Sequence, residues 1–315
     1  MRWFDRFFVF IFLLIPFTWG GSFIAAKYVV HDIDPINTVI LRFFLSALIM
    51  LPWLFIFHRK HHPDLRDRSY WFHLLLLVAI GGISYHIFFF WGLTHTNPTN
   101  AAIIVALNPF FTAFGEIIFF KIRRSTRFYI GFLIAFSGAL WVNIARGGHI
   151  DFSNLGLGEL LCLIASLLWS AFTLTAKATK KEGWDSLWLN AYNYLLTALV
   201  ILPFAGQMFT AEFWWGISTP AWLGIWYMVI FPTTIGYTMF YIGVQRKGPA
   251  WASTFIYLVP SITANLDYLF FDTLFTLPLV VGTTMVVIGL LYGNMGEKQI
   301  TWLKSKMFRK MFLKD

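Results

Sequence analysis

Arg42, Glu116 and Asp267 are charged side chains that fall inside long apolar runs of this chain. Placing such a group at the centre of a membrane helix costs about 2.5–3.5 kcal/mol on insertion scales, so each needs a function or a partner to keep it there. A carboxylate could hold a substrate amine or carry a coupling proton; burial would raise its pKa and a neighbouring Arg would lower it. The structural alternative is an ion pair between helices, or a carboxylate that reaches the lipid headgroups. For Arg42 a structural role is expected, with Asp267 or Glu159 as partner.

Polar stripes extend the set. Asn108, Thr112 and Glu116 are spaced four apart and share one face of a helix. Thr254, Tyr257, Ser261, Asn265 and Tyr268 form a second stripe, and Tyr237, Tyr241 and Gln245 a third. Subtracting 151 from Tyr237 and Tyr241 leads to His86 and Phe90, a matching pair earlier in the chain. Such faces could line a water-filled cavity; the alternative is hydrogen bonding between packed helices, about 0.6–2 kcal/mol per contact. Other chemistry has weaker support. His58, His61, His62 and Asp64 lie in a basic loop, and no metal site is expected from them. No Gly-rich phosphate loop, HExxH or GxSxG motif occurs. No cofactor is expected, and a membrane enzyme would need a converging catalytic pair that the histidines do not supply.

The elements that position these residues are membrane spans. Only 12% of the 315 residues are charged and 58% are hydrophobic, too little charge to cover the surface of a soluble domain, where about 25% is usual. The apolar runs are roughly 20 residues long, the length that spans the hydrocarbon as a helix. Ten spans are expected, at about 7–29, 35–57, 71–93, 98–120, 128–146, 156–177, 186–205, 220–243, 249–271 and 276–295. Runs such as Leu74-Leu75-Leu76-Leu77-Val78 lack the alternation of a barrel strand. Arg2 and Arg6 ahead of the first run resemble a signal peptide, but an uncleaved first span is expected. With the N-terminus cytoplasmic, 21 of the 24 Lys and Arg fall at cytoplasmic ends. That asymmetry places both termini in the cytoplasm. It also explains the net charge of +9 as topology and contact with anionic lipid rather than nucleic-acid binding. Cys162 is the single cysteine, so no intrachain disulfide forms.

The chain also repeats itself. At an offset of 151, Leu51-Pro52 meets Leu202-Pro203, Gly92 meets Gly243, Pro98 meets Pro249, Pro109 meets Pro260, Gly131 meets Gly282 and Gly138 meets Gly289; Glu116 meets Asp267 at the same offset. At 150, Trp19 meets Trp169 and Lys27 meets Lys177. Pro, Gly and Trp fix backbone shape, so these matches exceed general greasiness. The expected organisation is residues 1–150 as one five-helix unit, 151–296 as a second, and 297–315 as a basic tail. Five is odd, so the copies enter the membrane from opposite sides, an inverted repeat typical of secondary transporters.

The order of motifs resembles one family. Phe17-Thr18-Trp19-Gly20-Gly21-Ser22-Phe23 with Lys27, Pro35 with Arg42-Phe43, Trp91-Gly92-Leu93 with Asn97-Pro98 and Asn108-Pro109, and Gly131 with Gly138 resemble the EamA-type branch of the drug/metabolite transporter superfamily. Gly243, Pro249-Ala250, Pro260, Gly282 and Gly289 continue the likeness in the second copy. The family often carries a Glu after its fourth and ninth helices; Ile122 and Thr273 stand there instead, so no role of that Glu carries over. The resemblance implies a substrate path walled by the striped helices plus the first and sixth, which would turn Trp19, Ser22 and Trp169 toward it. It also implies an all-α, multi-pass protein of the bacterial cytoplasmic membrane that moves a small-molecule substrate, with a proton as the candidate coupling ion. Export of metabolites such as amino acids or amines is expected, with import or exchange of a vitamin or nucleotide-linked metabolite as the rival.

Overall fold

The computed structural model describes residues 2–95, 104–105, 107–145, 156–271 and 277–294. The side chains of Phe90, Asp267 and Tyr268, the whole of Thr273 and the tail 297–315 lie outside that description. Among the described residues there are helices and turns and no strand. In chain order they are α1 (Arg2–Asp32), α2 (Pro35–Phe57), α3 (Arg68–Leu77), α4 (Tyr85–His95), α5 (Asn108–Phe120), α6 (Thr126–Ala145), α7 (Leu157–Ala178), α8 (Ser186–Ile201), α9 (Ala211–Gly216), α10 (Thr219–Met228), α11 (Thr238–Lys247), α12 (Pro249–Thr254), α13 (Leu258–Phe271) and α14 (Leu277–Asn294).

Among the described residues, five helical stretches are long and apolar enough to cross a membrane: Pro35–Phe57, Arg68–Phe89, Leu157–Ala178, Ser186–Phe204 and Thr219–Lys247. Phe12–Ala26, Thr126–Val142 and Leu277–Gly293 are shorter apolar stretches. The expected ninth span is not one smooth helix: a tight 3-10 turn at Phe255–Tyr257 separates α12 from α13. Apolar residues such as Phe57, Phe119, Leu269 and Leu277 are exposed, while Asn37, Ser46, Asn108, Asn190, Asn193 and Thr233 are buried. That is the reverse of a soluble domain. A helix closes its backbone hydrogen bonds on itself, so its outside can be wholly apolar in lipid and its polar side chains are kept for the interior.

Local sequence explains where helices start. Asp34 accepts hydrogen bonds from the backbone N–H of Ile36 and Asn37 at the head of α2, with Pro35 at the first helical position. Asp185, 151 residues on, does the same for Leu187 and Trp188 at the head of α8.

Two helical rods depart from α geometry. Between α3 and α4 the chain runs in a wide π-helical turn from Val78 to Ser84, and between α10 and α11 a second runs from Val229 to Tyr237. They begin 151 residues apart, so the repeat extends to the backbone. Pro232, which cannot donate a hydrogen bond, lies in the second and its mate Gly81 in the first.

The helix pair α6 and α14 is held by glycine. A Cβ on Gly131 would collide with the Gly289 carbonyl oxygen, and one on Gly289 with that of Gly131; Gly138 and Gly282 oppose each other in the same way. The two contacts run antiparallel and exchange under the 151-residue offset, as a two-fold rotation between the helices requires. In lipid, where no hydrophobic effect drives helices together, such close backbone approach provides the packing energy. Gly289→Val should therefore destabilise the protein by about 1–3 kcal/mol or more, as overpacking does, because the atoms it meets are backbone and cannot rotate away. Thermal unfolding in detergent checks this; Gly216→Ala, with nothing within 4 Å of the added carbon, should leave the midpoint unchanged.

Candidate functional site

The turns of the two π-helical segments leave carbonyl oxygens for side chains to take. His86 Nδ1 donates to Gly82 O (2.9 Å) and lies 3.1 Å from Gly81 O. Because a carbonyl only accepts, the proton is on Nδ1 and Nε2 is left as an acceptor. On the second segment, Ser46 Oγ donates to Val229 O (3.2 Å), Trp19 Nε1 to Pro232 O (3.3 Å) and Tyr194 OH to Thr233 O (2.9 Å). These bonds tie α1, α2 and α8 to one rod.

A small cleft opens where these elements meet. Phe43 of α2, Gly81, Gly82 and His86, Trp169 and Phe172 of α7, Asn190, Asn193 and Tyr194 of α8, and Tyr237 form its wall. Both halves of the chain contribute. Its free space in this conformation is about one water molecule's worth. Repeat mates touch beside it. Trp19 and Trp169 meet edge to face with ring centroids 5.7 Å apart, and Phe43 stacks on Tyr194 at 5.6 Å. Tyr237 lies 5.6 Å from both tryptophans.

Arg42 is partly buried and is not itself part of the wall, but it neighbours the lining residues His86, Tyr194 and Tyr237. Its Nη2 donates to Thr233 Oγ1 at 3.1 Å, with Nε 3.4 Å from the same oxygen. Its charge is within electrostatic reach of Tyr85, His86, Tyr194 and Tyr237. Among the described residues it forms no ion pair. The expected pairing with Glu159 does not occur: that carboxylate accepts from Gly156 N at the head of α7 (2.9 Å). The side chain of Asp267, the other expected partner, lies outside the described residues.

Glu116 is elsewhere. Its carboxylate is fully buried and bound by both arms of Arg124, at 2.6 and 3.0 Å. Arg124 Nη2 also donates to Lys247 O at 3.1 Å. This guanidinium therefore locks the end of α5 in the first half to the end of α11 in the second. Gly248 follows at φ +106°, and a Cβ there would strike Arg124 and Glu116. The same end of the bundle is closed by Tyr241 OH and Thr179 Oγ1 (2.7 Å), with Gln245 Nε2 donating to that Thr179 oxygen (3.1 Å). At the other end Ser218 N donates to Asp32 (2.9 Å). Hydrogen bonds from Ser218, and then from His31, pull the Asp32 carboxyl down to about 2, so the tie stays ionised through the whole neutral and mildly acidic range.

Of the other sequence-derived candidates, His86, Trp169 and Tyr237 line the cleft. Trp19 packs against them, and Tyr241 seals the closed end. Asn108 and Thr112 do not line it. Asn108 Nδ2 donates to Ser166 O (3.2 Å) and Ser170 Oγ (3.1 Å), and Thr112 bonds back to Asn108 O, so this stripe faces α7 as helix packing. Tyr257 packs on Phe132 and Phe136 of α6, and Ser261 is buried without a bonded partner. Ser22 bonds back to Trp19 O (2.6 Å). Phe90 lies outside the description. In the basic loop His58 bonds to Asp185 and His62 to Tyr192. The sequence reading passes over Asn190, Asn193 and Thr197, although their i, i+3, i+7 spacing marks a helix face by the same rule that found the other stripes.

The chain's relatives share this architecture. The sequence profile of the EamA-like transporter family matches residues 6–144 and again 156–294. The chain is 27% identical over 280 residues to the uncharacterized transporter YyaM of Bacillus subtilis (strain 168), covering 87% of this chain and 89% of that protein. It is 28% identical over 249 residues to an uncharacterized transporter of Archaeoglobus fulgidus, covering 78% and 83%. The uncharacterized inner membrane transporter YicL of Salmonella typhimurium (strain LT2) matches at 23% over 279 residues, covering 87% and 91%. A chain of known crystal structure superposes with a TM-score of 0.73 at 17% identity, over 92% of this chain and 97% of that one, a likeness of fold. Two copies of one family profile, filling nearly the whole chain, place it: the protein belongs to the EamA-like transporter family.

Proposed function

We propose that this protein is a secondary transporter that carries small organic metabolites through the central cleft by alternating access, in the direction of export. Ten spans in two inverted five-helix units would rock about that cleft, with both termini in the cytoplasm. The observation that carries this reading is the position of the cleft. It lies between repeat mates, Trp19 against Trp169 and Phe43 against Tyr194, where motion of one half against the other opens one end and closes the other. The Arg124 clamp ties the two halves together at the basic end, and the charge asymmetry of the sequence supports reading that end as cytoplasmic.

Vesicles loaded with metabolite mixtures test the activity. Purified protein should release specific members chemically unchanged, and release from cytoplasm-equivalent loading should exceed uptake; conversion of a compound in transit would replace the transporter with an enzyme. Topology is checked separately. A reporter fused after Asp315 should be active only if it works in the cytoplasm, and activity of a periplasm-only reporter would refute the ten-span count.

The clamp gives a third expectation. Glu116→Gln removes the charge that holds Arg124 and should favour opening at the basic end. A cysteine at Asn193 in a Cys162→Ala background should then react several-fold faster with a membrane-impermeant thiol reagent from the cytoplasmic side. Equal rates with and without Glu116→Gln would mean that the clamp does not control access.

A further inference from the structure

The chemistry of the cleft narrows what it can hold, given the reading of it as the transport path. Its unsatisfied buried groups are hydrogen-bond donors. Trp169 Nε1 and Asn190 Nδ2 each line the wall and have no partner, and both atoms can only donate. Arg42 offers five N–H groups, of which two point at the Thr233 hydroxyl and one reaches the Tyr237 hydroxyl, both uncharged acceptors. No Asp or Glu lies within ion-pair distance of Arg42 among the described residues, and no acidic residue lines the cleft. A guanidinium with no acidic partner among the described residues, close to a wall that carries orphan donors, calls for an anion, and the planar fork of Arg matches a carboxylate bidentately.

The repeat adds direction. Asn193 is the mate of Arg42 at the 151-residue offset, just as Tyr194 is the mate of Phe43. The two-fold scaffold thus presents a cation from the first half and a neutral amide from the second, on either flank of the Phe43–Tyr194 stack. A ligand with one charged end fits that asymmetry. The remaining wall, Phe43, Trp169, Phe172 and Tyr237, is aromatic. From these observations we infer that the cleft binds a carboxylate carried on a flat apolar or aromatic body, with Arg42 holding the carboxylate, and that it rejects simple amines. Arg42 is then a substrate-specificity residue rather than the structural ion-pair partner expected from sequence.

Binding to purified protein in detergent tests this without any transport assay, so failure of the site and failure of the transporter reading can be told apart. Phenylacetate, 3-phenylpropanoate and indole-3-acetate are each compared with the corresponding amide and amine at millimolar concentration, with thermal stabilisation as the readout. At least one carboxylate should stabilise the protein saturably, and its amide and amine should not. Arg42→Gln should weaken that binding roughly tenfold or more, the loss of a hydrogen bond to a charged group. Arg42→Lys, which keeps the charge without the fork, should fall in between. The ligand-free unfolding midpoint and elution profile of Arg42→Gln report whether it folds. The inference is overturned if no carboxylate stabilises the wild type, if amines stabilise it as well as acids, or if Arg42→Gln binds as the wild type does. It is also overturned if Arg42→Gln fails to fold and adding Asp267→Asn restores it, because Asp267 would then be the counterion.

Discussion

Everything at the centre of this protein depends on one constraint: a backbone carbonyl freed inside a membrane bundle has no water to bond and must be met by protein. The two π-helical segments free several carbonyls at matched positions. The side chains that satisfy them come from other helices, or from the next turn. Ser46 of α2, Trp19 of α1 and Tyr194 of α8 all reach the segment at Val229–Tyr237, and His86 serves the segment at Val78–Ser84. The cleft is therefore made by the same bonds that make the backbone tolerable. Replacing either π turn with a regular helix would remove the reason for four polar and aromatic residues to converge there.

The repeat explains why the centre is aromatic and the periphery glycine-rich. Equivalent residues can touch only near the axis that relates them. Trp19 meets Trp169 and Phe43 meets Tyr194, so large rings fill the axis at the cleft. At α6 and α14 the axis passes between backbones in contact, and only glycine leaves room. Elsewhere the two halves differ. Glu116 is clamped by Arg124, whereas Phe275 stands at the position corresponding to Arg124 in the second half, so the sequence does not repeat the cation of the clamp. A symmetric frame with an unsymmetric lock has unequal ends, which is what a directional pathway requires.

Much of this was legible in the sequence. Periodicity and apolar length gave the all-helical bundle, and the matched Pro, Gly and Trp gave the repeat that the family profile also finds twice. Tyr237 is reached through its polar stripe, His86 as its mate at the 151-residue offset, and Trp169 as the mate of Trp19 and through the family resemblance. The stripe of Asn108, Thr112 and Glu116 was misleading because spacing tells which residues share a face and not what that face meets; it meets Ser166 and Ser170 of α7 and, past a chain reversal at Lys121, Arg124. That reversal, with Lys121 at φ 54°, brings residues eight apart together, a pairing that helical spacing does not suggest. The π geometry left only faint marks, Gly81-Gly82 and Pro232.

Arg42 remains the most costly group in the centre, and its chemistry limits how the cost can be met. A guanidinium only donates, so acceptors must come from its surroundings. Thr233 Oγ1 supplies one acceptor, but that hydroxyl already gives its proton to Met228 O (2.7 Å) and brings no negative charge. The Tyr237 hydroxyl supplies a second acceptor, likewise uncharged. Among the described residues no carboxylate meets this half-buried cation; on the proposed reading an anion would do so, which would tie the stability of the cleft to what occupies it. The same group that makes the empty centre expensive thus makes an occupied one favourable, and in a transporter that difference is what links binding to the change of state.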